Sequence, residues 1–355
     1  MVNSVVKIFL SFFLTFSVGI LITPFLTNYL YKHKMWKKKA RNEGLGGGET
    51  PIFNKLHKEK ETGTPRMGGI IIWASTLITI FILSILSDIY PAVATQKLNF
   101  LSQNQTWLPL FALVSASLIG LIDDVLQVRG GGGYIAGGLA LSKRVLFVLV
   151  IGYIGAYWFY YKLGMTAIAI PFSSPLELGV WFIPFFMIVM LGIFSGGVID
   201  GIDGLAGGIM AVIFSAYGVI AFFQNQIDLA TFCAAIVGGT LAFLWFNIPP
   251  ARFYMSETGM LGLTVTLSII AFLTDSVFVL PIIAFPLIAT SASVVIQYLS
   301  KKYRGKKVFL VAPLHHHFEA IGWPASKVTM RYWIISIIFA VVGMIISTLG
   351  ITLAI

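Results

Sequence analysis

Charged residues are scarce in this sequence: Asp, Glu, Lys and Arg make up 11% of its 355 residues, whereas hydrophobic residues make up 57%. No soluble domain needs that much apolar surface, so the composition predicts a polytopic membrane protein. The chain also has a single cysteine, Cys233, which lies in an apolar stretch. One cysteine excludes an intrachain disulfide framework and a cysteine-based zinc site.

Long apolar runs recur along the whole chain, and about ten of them are long enough to cross a hydrocarbon layer of roughly 30 Å. They lie near residues 5–30, 68–88, 107–123, 144–162, 179–199, 205–223, 230–247, 258–275, 277–299 and 332–354. The first run is too long for a signal-peptide core, and basic residues follow it instead of a small-residue cleavage site. We therefore expect an all-α membrane protein of about ten transmembrane helices with a retained first span.

The Lys and Arg residues are distributed unevenly between the two sides of this bundle. All of the 24 except Lys7, Lys97 and Lys162 fall on segments that an alternating topology assigns to one side. Loops rich in Lys and Arg stay in the cytoplasm, so both termini are predicted to lie outside. The net charge of +10 is then an orientation signal, and no nucleic-acid partner is predicted.

The acidic and histidine-rich stretches fall on this same cytoplasmic side. They are Asp123-Asp124, Asp200 to Asp203, Glu257 and His315 to His317. Chance would scatter them over both faces, so we expect one cytoplasmic active site within a single domain, residues 1–355. The loops expected to form it are 31–67, 123–143, 200–204, 247–257 and 300–331.

Two pairs of carboxylates are candidates for metal or proton chemistry. Asp200 and Asp203 are each followed by glycine, and on a helix their spacing would bring both to one face. The alternative for them is a polar hinge that caps two helices. Asp123 and Asp124 would point about 100° apart on a helix and so have different partners, unless they mark only a solvated helix end. Carboxylate oxygens suit Mg²⁺, which keeps several waters and bridges to substrate phosphates.

Three consecutive histidines stand within Pro313 to Glu319. A zinc site is one alternative, but consecutive imidazoles on a short loop rarely all reach one ion, and no cysteine is available to complete it. Hydrogen bonding or general acid chemistry beside phosphates is favoured.

Further residues are candidates for binding a nucleotide or a phosphate. Lys58, Lys60 and Thr64 precede the second span, where a helix N-terminus favours phosphate. The alternative for this segment is a turn followed by a close-packed helix start. Asn247 can hydrogen-bond a base or sugar and Tyr254 can stack on a nucleobase; a structural role is the alternative for both. The glycine-rich stretches 44–48 and 130–133 lack the Gly-Lys-Ser/Thr ending of a P-loop and are interpreted as linkers.

Taken together, these motifs resemble those of the polyprenyl-phosphate N-acetylhexosamine-1-phosphate transferases, and most of all the branch that transfers phospho-N-acetylmuramoyl-pentapeptide. The resemblance covers nearly the whole chain. It rests on Gly63-Thr64-Pro65 with Met67-Gly68-Gly69, Asp123-Asp124, Asp200 to Ala206, Asn247 with Pro250-Ala251, and Pro313 to Glu319.

The resemblance implies a Mg²⁺-dependent transfer of phospho-N-acetylmuramoyl-pentapeptide from its UDP carrier, UDP-MurNAc-pentapeptide, to undecaprenyl phosphate. The products would be lipid I and UMP, at the first membrane step of peptidoglycan synthesis. It further implies a multi-pass protein of the bacterial cytoplasmic (inner) membrane, surrounded by membrane lipids, with a cytoplasmic active site. A homodimer is expected on the same ground.

Residue roles also follow from the resemblance. The catalytic residues would be Asp123 as general base on the lipid phosphate, Asp124 in support of it, Asp200, and His315 in contact with the phosphates. Asp200 and Glu257 would bind the metal. The residues expected to bind substrate are Lys58, Lys60, Thr64, Lys143, Asp203, Asn247, Tyr254, His316 and His317.

Several positions depart from the family's pattern. Glu257 replaces a metal-binding Asp, Gly197 and Phe194 each replace an Asn, Gln127 replaces a Lys, and Arg66 replaces a Thr. Glu is one methylene longer than Asp, and Mg²⁺ tolerates displaced ligands poorly. The alternatives are a transferase of another UDP-N-acetylhexosamine, or a catalytically impaired homologue that binds lipid phosphate or a partner. A secondary transporter is disfavoured, because its polar residues should lie near the bilayer midplane.

Overall fold

A computed structural model of the chain describes residues 2–38, 62–89, 98–101, 104–130 and 137–353. Within these ranges, nine helices are long and apolar enough to cross a membrane, which confirms the predicted all-α polytopic fold. The helices are α1 Val2–Lys32, α2 Ile70–Ile89, α3 Asn104–Arg129, α4 Leu141–Tyr157, α5 Phe182–Ser195, α6 Leu205–Phe223, α7 Ile227–Asn247, α8 Ser256–Leu273, α9 Leu280–Ile283, α10 Phe285–Arg304, α11 Leu314–Ala320 and α12 Ala325–Leu353.

Short irregular elements complete the bundle. A π-helix, Trp158–Lys162, extends α4, and 3₁₀ turns, Gly179–Trp181 and Gly196–Ile199, flank α5. The strands β1 Ala167–Ile168 and β2 Leu176–Glu177 pair antiparallel, with Ala167 opposite Glu177 and Ile168 opposite Leu176.

The ninth predicted span, 277–299, differs from a single straight helix. Val277–Ile283 and Phe285–Arg304 are bent by 78° relative to each other, and they make a tenth span only if the pair crosses as one. The bend lies at Ala284, whose ψ of 22° is not helical. Pro286 has no N–H to donate to the carbonyl four residues earlier, so the hydrogen-bond ladder is interrupted here.

The centre of the bundle is α8, in which every residue except Glu257 is buried. It packs against α3 and α5, while α7 packs against α1, α2 and α6. Glycines allow these helices to approach closely, as is common between membrane helices. A Cβ on Gly262 would lie 2.1 Å from Ser117 Oγ of α3, and one on Gly238 of α7 would lie 2.3 Å from the Phe12 carbonyl oxygen of α1.

The N-terminal end of α1 and the C-terminal end of α12 lie at the same end of the bundle. Lys7 of α1 forms an ion pair with Asp228 in the first turn of α7. At this end too, Gln226 donates to the Leu273 carbonyl at the end of α8. The β-hairpin joins them through Ala169, whose N–H binds Asp275, and Gly350 of α12 packs on Pro171. This arrangement agrees with an even number of crossings; that this end faces outside remains a prediction from the basic residues.

Replacing Gly238 by alanine is expected to destabilise the fold. The new Cβ would meet backbone of α1, which cannot rotate away, so we expect a loss of about 1–3 kcal/mol and a lower Tm. The matched control is Gly192→Ala, because the α5 glycine has no neighbour within 4 Å of the added Cβ. Thermal unfolding in detergent measures both variants, and an equal Tm for the two would contradict the packing described here.

Candidate active site

The N-terminus of α8 binds two carboxylates that come from other parts of the chain. The N–H of Ser256 donates to Asp200 Oδ2 over 2.7 Å, and the N–H of Thr258 donates to Asp124 Oδ2 over 2.9 Å. The N–H of Glu257, between them, lies 3.4 Å from Asp124 Oδ1. The first N–H groups of a helix have no partner within it, and the helix dipole favours negative charge there. Three successive amides thus bring α3, the 200–204 turn and α8 together.

Asp123, next to Asp124 on α3, is buried and faces a different segment. Gln127 Nε2 donates to its Oδ2 over 2.6 Å, and the N–H of Leu139 donates to its Oδ1. Gly138 allows this approach, since a Cβ there would lie 2.5 Å from Asp123 Oδ1. The two adjacent carboxylates have different partners, as their helical positions predicted.

Glu257 forms a close ion pair with Arg144 in the first turn of α4. The neighbouring residue Lys143, which the resemblance implied as a substrate-binding residue, has an exposed side chain. Arg144 is on the buried face of α4, together with Val148 and Ile151. The structure therefore brings Arg144, and not Lys143, to the acidic residues.

Asp200 and Asp203 do not lie on a helix. They belong to a turn between the 3₁₀ segment Gly196–Ile199 and α6, so the expected common helical face is absent. Asp200 binds the Ser256 N–H, whereas Asp203 Oδ2 accepts the N–H of Ala251 over 3.3 Å. Burial raises the pKa of Asp200 to about 6, against the hydrogen bond from Ser256 and the charge of Arg66. A cation bound beside Asp200 would favour its charged form.

Several side chains hold the 200–204 turn in place. Asn247 Oδ1 accepts the N–H of Gly204 over 3.0 Å, and its Nδ2 donates to the Phe253 carbonyl over 2.8 Å. Thr329 and Trp333 of α12 donate to the carbonyls of Asp203 and Gly204. Both ends of the Asn247 amide are thus bound to backbone, which favours the structural alternative for this residue.

The three histidines begin α11, which packs against the same turn. A Cβ on Gly201 would lie 2.5 Å from His315 Nε2 and 2.8 Å from His316 Nε2. His315 is fully buried, and the rings of His315 and His316 are 4.2 Å apart. His316 Nδ1 lies 2.7 Å from Glu319 Oε2, while His317 Nδ1 accepts the N–H of Leu310. The histidines make different contacts, so the structure does not assemble them around one ion.

Helix α10 holds α11 in this position. Ser293 Oγ accepts the N–H of Leu314 over 2.9 Å. Gln297 Oε1 accepts the N–H groups of Val308 and Phe309, and Gln297 Nε2 donates to the Phe309 carbonyl. The bent helix pair thus fixes the segment that carries the histidines.

The segment before α2 completes the site. The Tyr254 N–H donates to the Pro65 carbonyl over 2.9 Å, and Thr64 hydrogen-bonds the Tyr254 side chain. Burial, followed by the charge of Asp203, raises the pKa of Tyr254 to about 12, so its hydroxyl stays protonated. Arg66 Nε lies 3.5 Å from Asp124 Oδ1. Lys58 and Lys60 lie outside the described residues.

A preformed metal cage is absent from this part of the molecule. Among the residues that the structure describes, no three His, Cys, Asp or Glu side chains are grouped to hold an ion. The two predicted metal ligands, Asp200 and Glu257, nevertheless lie near each other. Asp200 accepts the N–H of Ser256, the residue before Glu257. Both are carboxylates, the type of ligand that binds Mg²⁺ when waters and substrate phosphates complete its shell.

Comparison with known proteins identifies the family. A model described as glycosyl transferase family 4 matches residues 106–275. A phospho-N-acetylmuramoyl-pentapeptide-transferase of a Geobacillus species is 34% identical over 341 residues, which cover 95% of this chain and 97% of the relative. Its namesake from Listeria monocytogenes is 33% identical, covering 93% and 96%, and that from Clostridium perfringens is 31% identical, covering 95% and 98%. The chain belongs to the phospho-N-acetylmuramoyl-pentapeptide transferase family.

Membership in this transferase family confirms the resemblance that the motifs predicted. It makes the chain a phosphoglycosyl transferase and a multi-pass protein of the bacterial cytoplasmic membrane. The matched length spans all five motifs, so the site assembled around α8 lies within the region shared with the family.

Two site residues were missed in the sequence, and each left a signal there. Arg144 has the spacing of a buried helical face, since Val148, Ile151 and Gly155 follow it at four, seven and eleven residues. Arg66 stands out as the charged residue in Gly63 to Gly69, a segment otherwise made of small and apolar residues. Neither sequence pattern predicts which carboxylate the guanidinium group of Arg144 or of Arg66 contacts.

Gly201→Ala is expected to lower transferase activity without unfolding the protein. The added methyl group would push His315 and His316 away from the turn, and displacements of about 1 Å near reacting groups can cost about 100-fold in rate. Gly197→Ala is the control in the same loop, because its Cβ would have an ordinary contact of 3.8 Å with Met260. Turnover and Tm are measured for both; equal turnover would contradict a functional contact between the histidines and this turn.

Proposed function

We propose that this chain transfers phospho-N-acetylmuramoyl-pentapeptide from UDP to undecaprenyl phosphate, giving lipid I and UMP. The relatives that match it over nearly its full length carry the name of this activity. The single observation that supports it best is the convergence of Asp124, Asp200 and Glu257 on the first turn of α8. This acidic site lies at one end of a membrane bundle, where a soluble nucleotide can meet a lipid phosphate.

The transfer exchanges one phosphorus–oxygen bond for another. An oxygen of undecaprenyl phosphate attacks the phosphorus that carries the sugar. The bond from that phosphorus to the bridging oxygen breaks, and UMP leaves with the bonding electron pair. Positioning and neutralisation of charge supply most of the catalysis in phosphoryl transfer, so we propose direct attack without a covalent enzyme intermediate.

Asp123 is the proposed base. Its carboxylate is oriented by hydrogen bonds from Gln127 and Leu139, and a carboxylate oxygen can accept the proton of a lipid phosphate that arrives as the monoanion. Asp124 supports it by joining α3 to the first turn of α8. His315, which is buried against Gly201, is proposed to contact the phosphates of the bound substrate.

Asp200 and Glu257 are the proposed ligands of Mg²⁺. The metal would neutralise charge on the diphosphate and on the departing UMP. Glu257 would exchange its Arg144 partner for the ion. Asp203, Thr64 and Tyr254 are proposed to line the nucleotide side, His316 and His317 to contact substrate phosphates, and the family's homodimer is retained as a proposal.

The test is UMP release by purified protein given undecaprenyl phosphate and UDP-MurNAc-pentapeptide, with Mg²⁺ and then with a chelator. We expect release that needs the metal. Asp123→Asn and Asp200→Asn should abolish it while the protein stays folded, because each removes a charge at the site. Glu257→Asp, the matched change that keeps the charge, should retain activity.

Three outcomes of the same assay would contradict the proposal. Folded protein that releases UMP from UDP-N-acetylglucosamine, and not from the muramyl donor, would replace the proposed substrate. If the folded protein releases no UMP from either donor, the alternative of a catalytically impaired homologue would be favoured. Near-normal rates in Asp123→Asn or Asp200→Asn would refute the assignment of those residues.

A further inference from the structure

The site around the first turn of α8 has more acidic than basic side chains. Five carboxylates belong to it, which we call the acidic cluster: Asp123, Asp124, Asp200, Asp203 and Glu257. Two guanidinium groups act on Asp124, Asp200 and Glu257, namely those of Arg66 and Arg144. A buried charge is costly unless it is paired and hydrogen-bonded, so the way in which each arginine is held is informative.

The two arginines are held differently. Arg144 makes a close ion pair with Glu257. Arg66 reaches Asp124 only through Nε, at 3.5 Å, while the oxygens of Asp124 already accept N–H groups of α8. Arg66 Nε is buried and makes no hydrogen bond to any residue that the structure describes. A buried donor without a hydrogen bond is rare in proteins and calls for an explanation.

The backbone around Arg66 is fixed on both sides. The Arg66 N–H donates to the Met35 carbonyl over 2.9 Å. Tyr254 accepts the N–H of Gly68 and donates its own N–H to Pro65. The main chain is therefore anchored to the end of α1 and to the loop before α8, whereas the side chain is 17% exposed and ends among the carboxylates. Such a side chain can change partners without a change of fold.

We propose that Arg66 is a phosphate-binding residue of this transferase, which exchanges its contact with Asp124 for a phosphate of a bound substrate. This deepens the proposed function and rests on it. The planar guanidinium offers several N–H donors in a fork that matches phosphate oxygens. Substrate would satisfy the Nε donor and at the same time release Asp124 from its cation. The phosphate belongs either to the nucleotide donor or to the lipid acceptor.

The experiment compares Arg66→Thr with the wild type and with Arg129→Thr. Arg129 lies on α3 near the same end of the bundle but is exposed, so its variant removes the same charge outside the acidic cluster. Calorimetry in detergent gives the affinity for UDP and for uridine, which lacks phosphate. Steady-state assays give KM for the UDP donor and for undecaprenyl phosphate.

Losing a charge-assisted hydrogen bond to phosphate is expected to weaken binding about 10- to 100-fold. A loss of UDP affinity or a raised donor KM, with uridine affinity unchanged, supports the proposal and assigns the nucleotide phosphate. A raised KM for undecaprenyl phosphate alone supports it and assigns the lipid phosphate. Arg129→Thr should leave all four quantities unchanged. Arg66→Thr with both KM values unchanged, or with UDP and uridine weakened equally, overturns the proposal.

A second variant guards against misfolding. Arg66→Lys keeps the charge that the acidic cluster needs but lacks the planar fork, so it should keep the wild-type Tm while KM for one substrate rises several-fold. Normal KM values in this variant would show that Arg66 only balances charge. Because UDP binding needs no turnover, it tests Arg66 even if the wild type releases no UMP, which would refute the proposed reaction alone.

Discussion

The first turn of α8 is the constraint on which the rest of the site depends. Its amides of residues 256 to 258 bind Asp200 and Asp124, which come from positions 56 and 134 residues away in the chain. These bonds satisfy helix donors that would otherwise be buried without partners. They also fix the distance between α3 and the 200–204 turn. Three other parts of the site are arranged around these two turns: the histidines of α11, the Arg144–Glu257 pair and the segment before α2.

The carboxylates of the site are stabilised by groups that a substrate or a metal ion could displace. The carboxylates are neutralised by backbone dipoles and by two arginines, so a cluster that would be costly in a membrane is tolerated. In the proposed reaction, Mg²⁺ would take the place of Arg144 beside Glu257, and a substrate phosphate would take the place of Asp124 beside Arg66. Departures from the family's pattern then become intelligible, since Gln127 still donates to Asp123 where a lysine is usual, and Arg66 adds a positive charge beside Asp124.

The sequence predicted the bundle well because apolar length and helical periodicity are local properties. It also predicted that the acidic motifs would lie on one side, since Lys and Arg distribution fixes topology. It placed Asp200 and Asp203 in the loop 200–204 but did not predict their contacts, because Ser256, Ala251 and Thr329 are all distant from them in sequence. Apolar length alone does not reveal the bend at Ala284, because the apolar run continues through it. Nor does charge alone distinguish Arg144 from Lys143, because only the helical phase shows which of the two side chains is buried.

The most direct test of this account is hydrogen exchange at the amides of Glu257 and Thr258 in wild type and Asp124→Ala. We predict slow exchange in the wild type and much faster exchange at these amides in the variant, with the interior of α7 unchanged. Equal protection in both proteins would contradict the central claim, because the first turn of α8 would then be held by something other than the Asp124 carboxylate.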